Sequence, residues 1–107
     1  MLSVKHIKSD TFQKEVIESD VPVLVDFFAT WCVPCQMMGP VLEQLQAEYG
    51  EKAKVVKVDI DQAMDLAQKY QVMNVPNMIF FKGGKVSDSV IGAVPATILK
   101  EKLNQLL

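Results

Sequence analysis

The sequence contains no arginine: all 11 of its basic residues are lysine, set against 13 acidic residues and one histidine. The planar guanidinium group of arginine forms paired hydrogen bonds with phosphate groups and guanine edges. A mildly acidic chain without arginine is therefore a poor candidate for binding nucleic acid. The apolar runs are far too short to span a bilayer. Residues 1–7 also lack the apolar core of a signal peptide. We therefore expect a cytosolic protein that binds neither nucleic acid nor a membrane.

Cysteine is also scarce, with only Cys32 and Cys35 in a C-x-x-C spacing. A disulfide that closes so small a ring stabilises a fold by only about 2 kcal/mol in the chain-entropy account. Tetrahedral zinc needs two further ligands, whereas the chain offers no other cysteine and only His6, so two chains would have to share the metal. Redox chemistry is the leading interpretation, and a shared metal stays open as an alternative.

Half of the 107 residues are hydrophobic and 22% are charged, which predicts one folded domain over residues 1–107. The periodicity of apolar residues predicts the order β-α-β-α-β-α-β-β-α, a mixed α/β sheet of about five strands flanked by four helices. The predicted strands are 3–7, 22–29, 53–59, 77–82 and 85–91, and the predicted helices are 9–19, 32–49, 62–70 and one that starts at Pro95. Ser9, Asp10 and Thr11 are the candidate N-caps of the first helix.

The C-x-x-C motif lies where a buried strand is predicted to pass into a helix. Cys32 falls at the helix N-terminus, where unpaired N–H groups and the helix dipole stabilise a thiolate, the nucleophile of disulfide exchange. Pro34 is tolerated in the first turn because the N–H that it lacks would be unpaired there. Cys35 follows almost one turn later and is expected to be the more buried cysteine. We predict that Cys32 attacks a partner's disulfide and that Cys35 then breaks the mixed disulfide.

Asp26 interrupts the apolar run of the second strand. A buried carboxylate is costly unless it is neutral or paired, so its pKa is expected to be raised. The functional interpretation is a proton acceptor for Cys35. Two alternatives stay open, a solvated sheet edge and a structural ion pair with Lys57 on the neighbouring strand. Lys57 is compatible with the functional interpretation as well.

Several other features are interpreted as structural rather than functional. From the residues alone Pro76 is an ordinary loop proline, because only about 5–6% of X–Pro bonds are cis. His6 is interpreted as structural, and the acidic residues of segments 48–51 and 59–65 as solvated surface. The methionines are read as packing residues of the core or its rim, with Met73 a candidate border of the site: Met37, Met38, Met64, Met73 and Met78.

The segment Trp31-Cys32-Val33-Pro34-Cys35 resembles the active-site motif of the thioredoxin family. The similarity covers nearly the whole chain, in the family's order, and includes Val25-Asp26-Phe27, Lys57, Val75-Pro76, Phe81-Lys82-Gly83-Gly84 and Gly92-Ala93. The resemblance implies the thioredoxin fold and reduction of protein disulfides, with the reversible Cys32–Cys35 pair and no other cofactor. It also implies a monomer that a thioredoxin reductase recharges, usually a flavoprotein drawing on NADPH.

The same resemblance implies that Pro76 is cis and lies against the dithiol, and that Asp26 and Lys57 form a buried proton-transfer pair. The implied substrate-docking surface comprises Trp31, Val33, Pro34, Val75, Pro76, Gly92 and Ala93. The sequence departs from the family's common pattern at four positions, where Phe28 replaces Trp, Val33 replaces Gly, Gln36 replaces Lys and Asn77 replaces Thr. We hypothesise that Cys32 is therefore less acidic than in a relative with Gly and Lys beside the cysteines.

Two interpretations from other function classes stay open beside the reductase. A binding module would act as an assembly partner whatever the redox state of its cysteines. A metal carrier would use the C-x-x-C motifs of two chains to share zinc or an iron–sulfur cluster.

Overall fold

A computed structural model describes residues 3–107, which form a five-stranded sheet with helices packed on both of its faces. The strands are β1 (Lys5–Ile7), β2 (Val23–Phe28), β3 (Lys54–Asp59), β4 (Asn77–Lys82) and β5 (Lys85–Ile91). The helices are α1 (Ser9–Phe12, continued by a π-helical segment, Gln13–Ile17), α2 (Val33–Tyr49), α3 (Met64–Lys69) and α4 (Ala96–Asn104). The predicted α/β class and element order are confirmed.

The strand order in the sheet is β1-β3-β2-β4-β5. β2 is parallel to β3 and antiparallel to β4, and all six of its residues are buried, as its unbroken apolar run predicts. The β4–β5 hairpin turns at Gly83 and Gly84, which both have positive φ. A Cβ at Gly84 would lie 2.9 Å from the carbonyl oxygen of Ile17, so this turn requires glycine for its space as well as its conformation.

Each face of the sheet carries its own apolar core. The core on the α1 and α3 side includes Phe12, Val16, Val25, Phe27, Val56, Leu66, Ile79 and Phe81. The core on the α2 and α4 side includes Leu24, Met38, Leu42, Leu45, Phe80, Leu99 and Leu103. Because successive residues of a strand point to opposite faces, Asp26 shares the face of Leu24, which is the face covered by α2.

The ends of several elements differ from the sequence prediction. The N-cap of α1 is Lys8, without a side-chain cap, so the predicted N-caps Ser9, Asp10 and Thr11 are wrong. The hydroxyl of Ser9 instead donates to Asp65. Helix α3 begins two residues later than predicted, because the N–H groups of Gln62 and Ala63 donate to the carbonyl of Asp59 in a turn. Such boundary shifts are typical of elements only one or two turns long.

Candidate active site

The two cysteines form a disulfide at the point where β2 gives way to α2, with their Cα atoms 5.3 Å apart. Cys32 is the N-cap residue of α2, and its sulfur accepts a hydrogen bond from the N–H of Cys35 at 3.2 Å. Cys32 is 5% exposed and Cys35 only 1%, which confirms the predicted order of burial. A thiolate formed at Cys32 on reduction would lie at the positive end of the helix dipole, within reach of a main-chain donor.

The Val75–Pro76 peptide bond is cis. The carbonyl oxygen of Val75 lies 3.7 Å from the sulfur of Cys32, and the N–H of Gly92 donates to the carbonyl of Pro76 at 2.8 Å. Gly92 has φ +92, a left-handed conformation that favours glycine. The cis bond implied by the family resemblance is confirmed. Val75 lies against the dithiol, and Gly92 after β5 is joined to Pro76.

Asp26 is fully buried in the central strand, and neither of its carboxylate oxygens has a hydrogen-bond partner within the described chain. Burial raises the pKa of Asp26 from 3.8 to about 7, and the positive charge of Lys57 opposes this rise. The expected rise in pKa is confirmed. The carboxyl group can therefore hold a proton or release one close to neutral pH.

Lys57 is the β3 residue directly opposite Asp26 in the parallel register, yet residues 3–107 contain no ion pair between them. The ammonium of Lys57 instead lies 4.5 Å from the centre of the Phe28 ring, a cation–π contact. Both alternatives for Asp26 are therefore wrong, since the carboxylate is neither at a solvated edge nor in a structural ion pair. Lys57 acts on Asp26 only through its charge at a distance.

Phe28 stands where the family commonly has Trp, and its ring also meets His6 edge-on at 5.6 Å between ring centres. His6 lies on the edge strand β1, in register with Lys57. The structural interpretation of His6 agrees with this packing role.

The residues predicted to form a docking surface differ in exposure. Trp31 is 67% exposed and Val33 63% exposed, which leaves two large apolar side chains in solvent beside Cys32. Pro34 and Ala93 are also exposed, and Val75 and Gly92 are half-buried. Pro76 is buried.

Asp61 is exposed, as the solvated-surface interpretation expects, but it also contacts a predicted site residue, which that interpretation left out. Its carboxylate accepts a hydrogen bond from the indole N–H of Trp31 at 3.1 Å, which fixes one edge of an otherwise exposed ring. A signal was available, because Asp61 follows β3 and the carboxyl ends of parallel strands meet at one edge of a sheet. Ile60, its neighbour, packs against the cluster that contains both cysteines.

Gln36 bridges the first turn of α2 and the loop that precedes it. Its side-chain amide donates to the carbonyl of Thr30 at 3.1 Å. Where the family commonly has a lysine, this chain thus has a neutral group whose donor is engaged by the loop. No positive charge at this position supports a thiolate on Cys32.

Introducing the family's common residues at positions 33 and 36 is expected to make the Cys32 thiol more acidic. Val33→Gly/Gln36→Lys places an exposed cation at the position after Cys35. Exposed ion pairs contribute about 0.2–1 kcal/mol, so the pKa of the Cys32 thiol should fall by a few tenths of a pH unit. Thiolate absorbance of reduced protein across pH measures this. Val33→Gly/Gln36→Met, which makes the same change at position 33 and removes the amide without adding charge, is the matched control. An equally acidic or more acidic wild-type thiol contradicts the hypothesis.

Residues 3–105 match the family model for Thioredoxin. The chain is 44% identical over 107 residues to Thioredoxin 1 of Nostoc sp., which covers 100% of both proteins. It is 44% identical over 97 residues to Thioredoxin 1 of Synechococcus elongatus, with 91% of each chain covered. The chain belongs to the thioredoxin family. A chloroplastic M-type thioredoxin of Chlamydomonas reinhardtii is 41% identical over 101 residues, 94% of this chain and 72% of the relative.

Thioredoxin-family membership and the bonded Cys32–Cys35 pair make this chain a thiol–disulfide oxidoreductase that reduces disulfides in proteins. The family also implies a reductase partner that restores the dithiol. No helix within residues 3–107 is both long and apolar enough to cross a membrane. In the same residues, no group of three or more His, Cys, Asp or Glu side chains is placed to hold a metal ion.

Proposed function

We propose that the protein carries electrons from a reductase to protein disulfides through a two-step exchange. The Cys32 thiolate attacks one sulfur of the substrate disulfide, forming a mixed disulfide and releasing the other substrate sulfur as a thiolate. The Cys35 thiolate then attacks the sulfur of Cys32, which releases the second substrate cysteine and leaves the Cys32–Cys35 disulfide. Two electrons pass from the dithiol to the substrate. The position of Cys32 as the N-cap of α2, hydrogen-bonded to the N–H of Cys35, is the observation that carries this assignment.

Asp26 is the proton acceptor for Cys35 in the second step. Cys35 is buried, so its thiol cannot lose a proton directly to bulk water. A base is most effective when its pKa lies near the working pH, and burial brings the pKa of Asp26 to about 7. The carboxyl group lies on the sheet face that α2, the helix of Cys35, covers. A general base can take the proton directly or through one water molecule. Lys57 tunes this proton transfer by favouring the ionised carboxylate.

Protein substrates dock on the residues around Cys32. Trp31 and Val33 offer exposed apolar contacts, and Pro34 and Ala93 extend this surface. The main chain at Val75 pairs with an extended substrate segment, in keeping with its carbonyl 3.7 Å from the Cys32 sulfur. Pro76 and Gly92, joined by a main-chain hydrogen bond, set the position of that segment.

The remaining parts of the proposal follow from the family. Residues 1–107 act as one domain and as a monomer, with no cofactor besides the cysteine pair. A flavoprotein reductase drawing on NADPH restores the dithiol, and the protein works in the cytosol. The relatives from Chlamydomonas reinhardtii and Arabidopsis thaliana carry the word chloroplastic in their names, so a plastid is the alternative compartment.

Equilibration of the Cys32–Cys35 pair with glutathione tests the direction of electron flow. A reductase requires a pair that stays largely oxidised against millimolar reduced glutathione, which is the mark of a strongly reducing potential. A strongly oxidising potential would reverse the flux and overturn the proposal. Metal analysis of freshly purified protein tests the shared-metal alternative in parallel, and a metal-free monomer excludes it.

Asp26→Asn is expected to slow the second step of the exchange. Without the carboxylate, the release of the mixed disulfide should slow by roughly tenfold or more at pH 7, since general bases commonly contribute 10²- to 10⁴-fold. Stopped-flow measurement of this step across pH should show an inflection near pH 7 in the wild type, from the pKa of Asp26 of about 7, and none in the variant. In Lys57→Met the inflection should move to higher pH, because the opposing charge is lost. An unchanged profile in Asp26→Asn refutes the role.

A further inference from the structure

An open apolar groove of about 570 Å³ lies along α3, between the residue that follows β3 and the segment that follows α3. Its walls include Ile60, Met64, Ala67, Val72 and Met73, with glutamine side chains at its rim. None of these residues takes part in the exchange described above. The groove is therefore a feature of the active-site face that the known chemistry leaves unused.

Two methionines on this groove are strongly exposed, which excludes the core for them but is compatible with the predicted rim and, for Met73, with the predicted border of the site. Met64 is 65% exposed and Met73 is 88% exposed. Met37 on α2 is 65% exposed as well, but it does not line the groove. Met38 and Met78 are buried, at 2% and 0% exposure, and only these two confirm the core interpretation. The chain therefore has accessible and shielded thioethers that can be compared within one molecule.

The groove is continuous with the dithiol. Ile60 forms part of its wall and also packs against the cluster of Phe28, Ala29 and the two cysteines. Met73 is two residues from Val75, so their Cα atoms are at most about 8 Å apart. The carbonyl of Val75 lies 3.7 Å from the sulfur of Cys32. A protein segment bonded to Cys32 therefore reaches the groove with the residues next to its own cysteine.

We propose that Met64 and Met73 are sites of sulfoxide formation by peroxides, and that their oxidation weakens the binding of protein substrates. The thioether sulfur takes one oxygen atom from the peroxide, whose O–O bond breaks and which leaves as water or alcohol. The sulfur is oxidised by two electrons and the peroxide is reduced by two. The product is a polar sulfoxide in place of a flexible apolar side chain.

The occupant of the groove is the segment of a protein substrate next to its attacked cysteine, so this inference rests on the proposed function. Methionine adapts its shape to different apolar side chains, which suits a surface that receives many substrates. A sulfoxide oxygen must keep its hydrogen bonds to water, so burying it under an apolar substrate side chain is unfavourable. Oxidation should therefore raise KM for a protein disulfide without affecting the chemical step at Cys32.

The test uses the full chain in its disulfide form, so that the cysteines are bonded to each other during treatment with hydrogen peroxide. After the peroxide is removed, peptide mass spectrometry should find an added oxygen on Met64 and Met73 before Met38 and Met78. KM for insulin, measured with dithiothreitol, should rise roughly three- to tenfold. The kcat/KM for the small disulfide cystine, which cannot reach the groove, should stay unchanged. Methionine sulfoxide reductases should reverse the rise.

Variants assign the effect to the groove, with each protein compared before and after peroxide. Met64→Leu/Met73→Leu keeps an apolar groove that cannot be oxidised, so its KM for insulin should not change on treatment. Met37→Leu is the matched control, and its KM should rise as in the wild type. Protection by Met37→Leu, an equal rise in the double variant, or sulfoxides at positions 64 and 73 with an unchanged KM would each overturn the inference. Failure of the untreated protein to reduce insulin would instead overturn the proposed function.

Discussion

Replacing Cys32 with serine is expected to bring insulin reduction down to the uncatalysed rate, a loss on the order of 10³-fold or more. A serine hydroxyl does not ionise at neutral pH and cannot form a disulfide, so neither step of the exchange can begin. Insulin precipitation in the presence of dithiothreitol measures the loss. The fold should survive, because the short Cys32–Cys35 ring contributes only about 2 kcal/mol in the chain-entropy account.

Cys35→Ser is the matched control, because it removes one sulfur from the same pair but leaves the nucleophile in place. This variant should still attack substrates and then accumulate as a mixed disulfide, visible by non-reducing electrophoresis and by mass spectrometry. If Cys32→Ser accumulated as a mixed disulfide instead, Cys35 would be the nucleophile and Cys32 the cysteine that releases the substrate. A double Cys32→Ser/Cys35→Ser variant that keeps its cellular function would favour the binding-module interpretation over the reductase.

Asp26→Asn is expected to stabilise the protein above neutral pH by up to about 4 kcal/mol, the equivalent of the rise in the pKa of Asp26 from 3.8 to about 7. Between these two pH values the unfolded chain releases the Asp26 proton while the folded chain retains it. The unfolded state therefore binds fewer protons, and the wild-type free energy of unfolding falls as pH rises from about 4 to about 7. Below about pH 4 both states are protonated and the burial of a charge costs nothing.

Urea unfolding of the disulfide form at several pH values between 4 and 8 measures this effect. The difference in the free energy of unfolding between Asp26→Asn and the wild type should grow up to about pH 7 and then level off. Asp20→Asn, a substitution of the same chemistry at an exposed position, should show no such growth. A difference that stays constant with pH would mean that the buried carboxyl group does not titrate as described. The same carboxyl group would then be unsuited to accept the Cys35 proton near pH 7.

Features governed by local sequence were predictable. The apolar run of β2 predicted a strand buried on both faces, and Gly83-Gly84 predicted the hairpin with both strands bounded correctly. The place of Cys32 at the start of α2 followed from the change of periodicity after β2 together with Pro34 in the first turn. The raised pKa of Asp26 followed from a carboxylate within that buried run. In each of these cases the physical cause lies within a few residues of the effect.

Features that depend on distant parts of the chain were not predictable from the residues alone. The cis bond before Pro76 required the family resemblance, since most X–Pro bonds are trans. The hydrogen bond from Trp31 to Asp61 joins two loops 30 residues apart. The sequence did not decide between core and rim for Met64, because α3 has only six residues, too few for the periodicity to show which face is buried.

The hydrogen bond from the Cys35 N–H to the Cys32 sulfur has a consequence for how such a chain can vary. The donor belongs to the main chain, so substitution of the intervening Val33 and Pro34 can change the acidity of the Cys32 thiol while this hydrogen bond stays in place. The backbone conformation supplies the hydrogen bond to the sulfur, and the side chains at positions 33 and 34 modify its reactivity. The dipeptide between the cysteines, and with it the redox potential of the pair, can therefore change during evolution without loss of disulfide reduction.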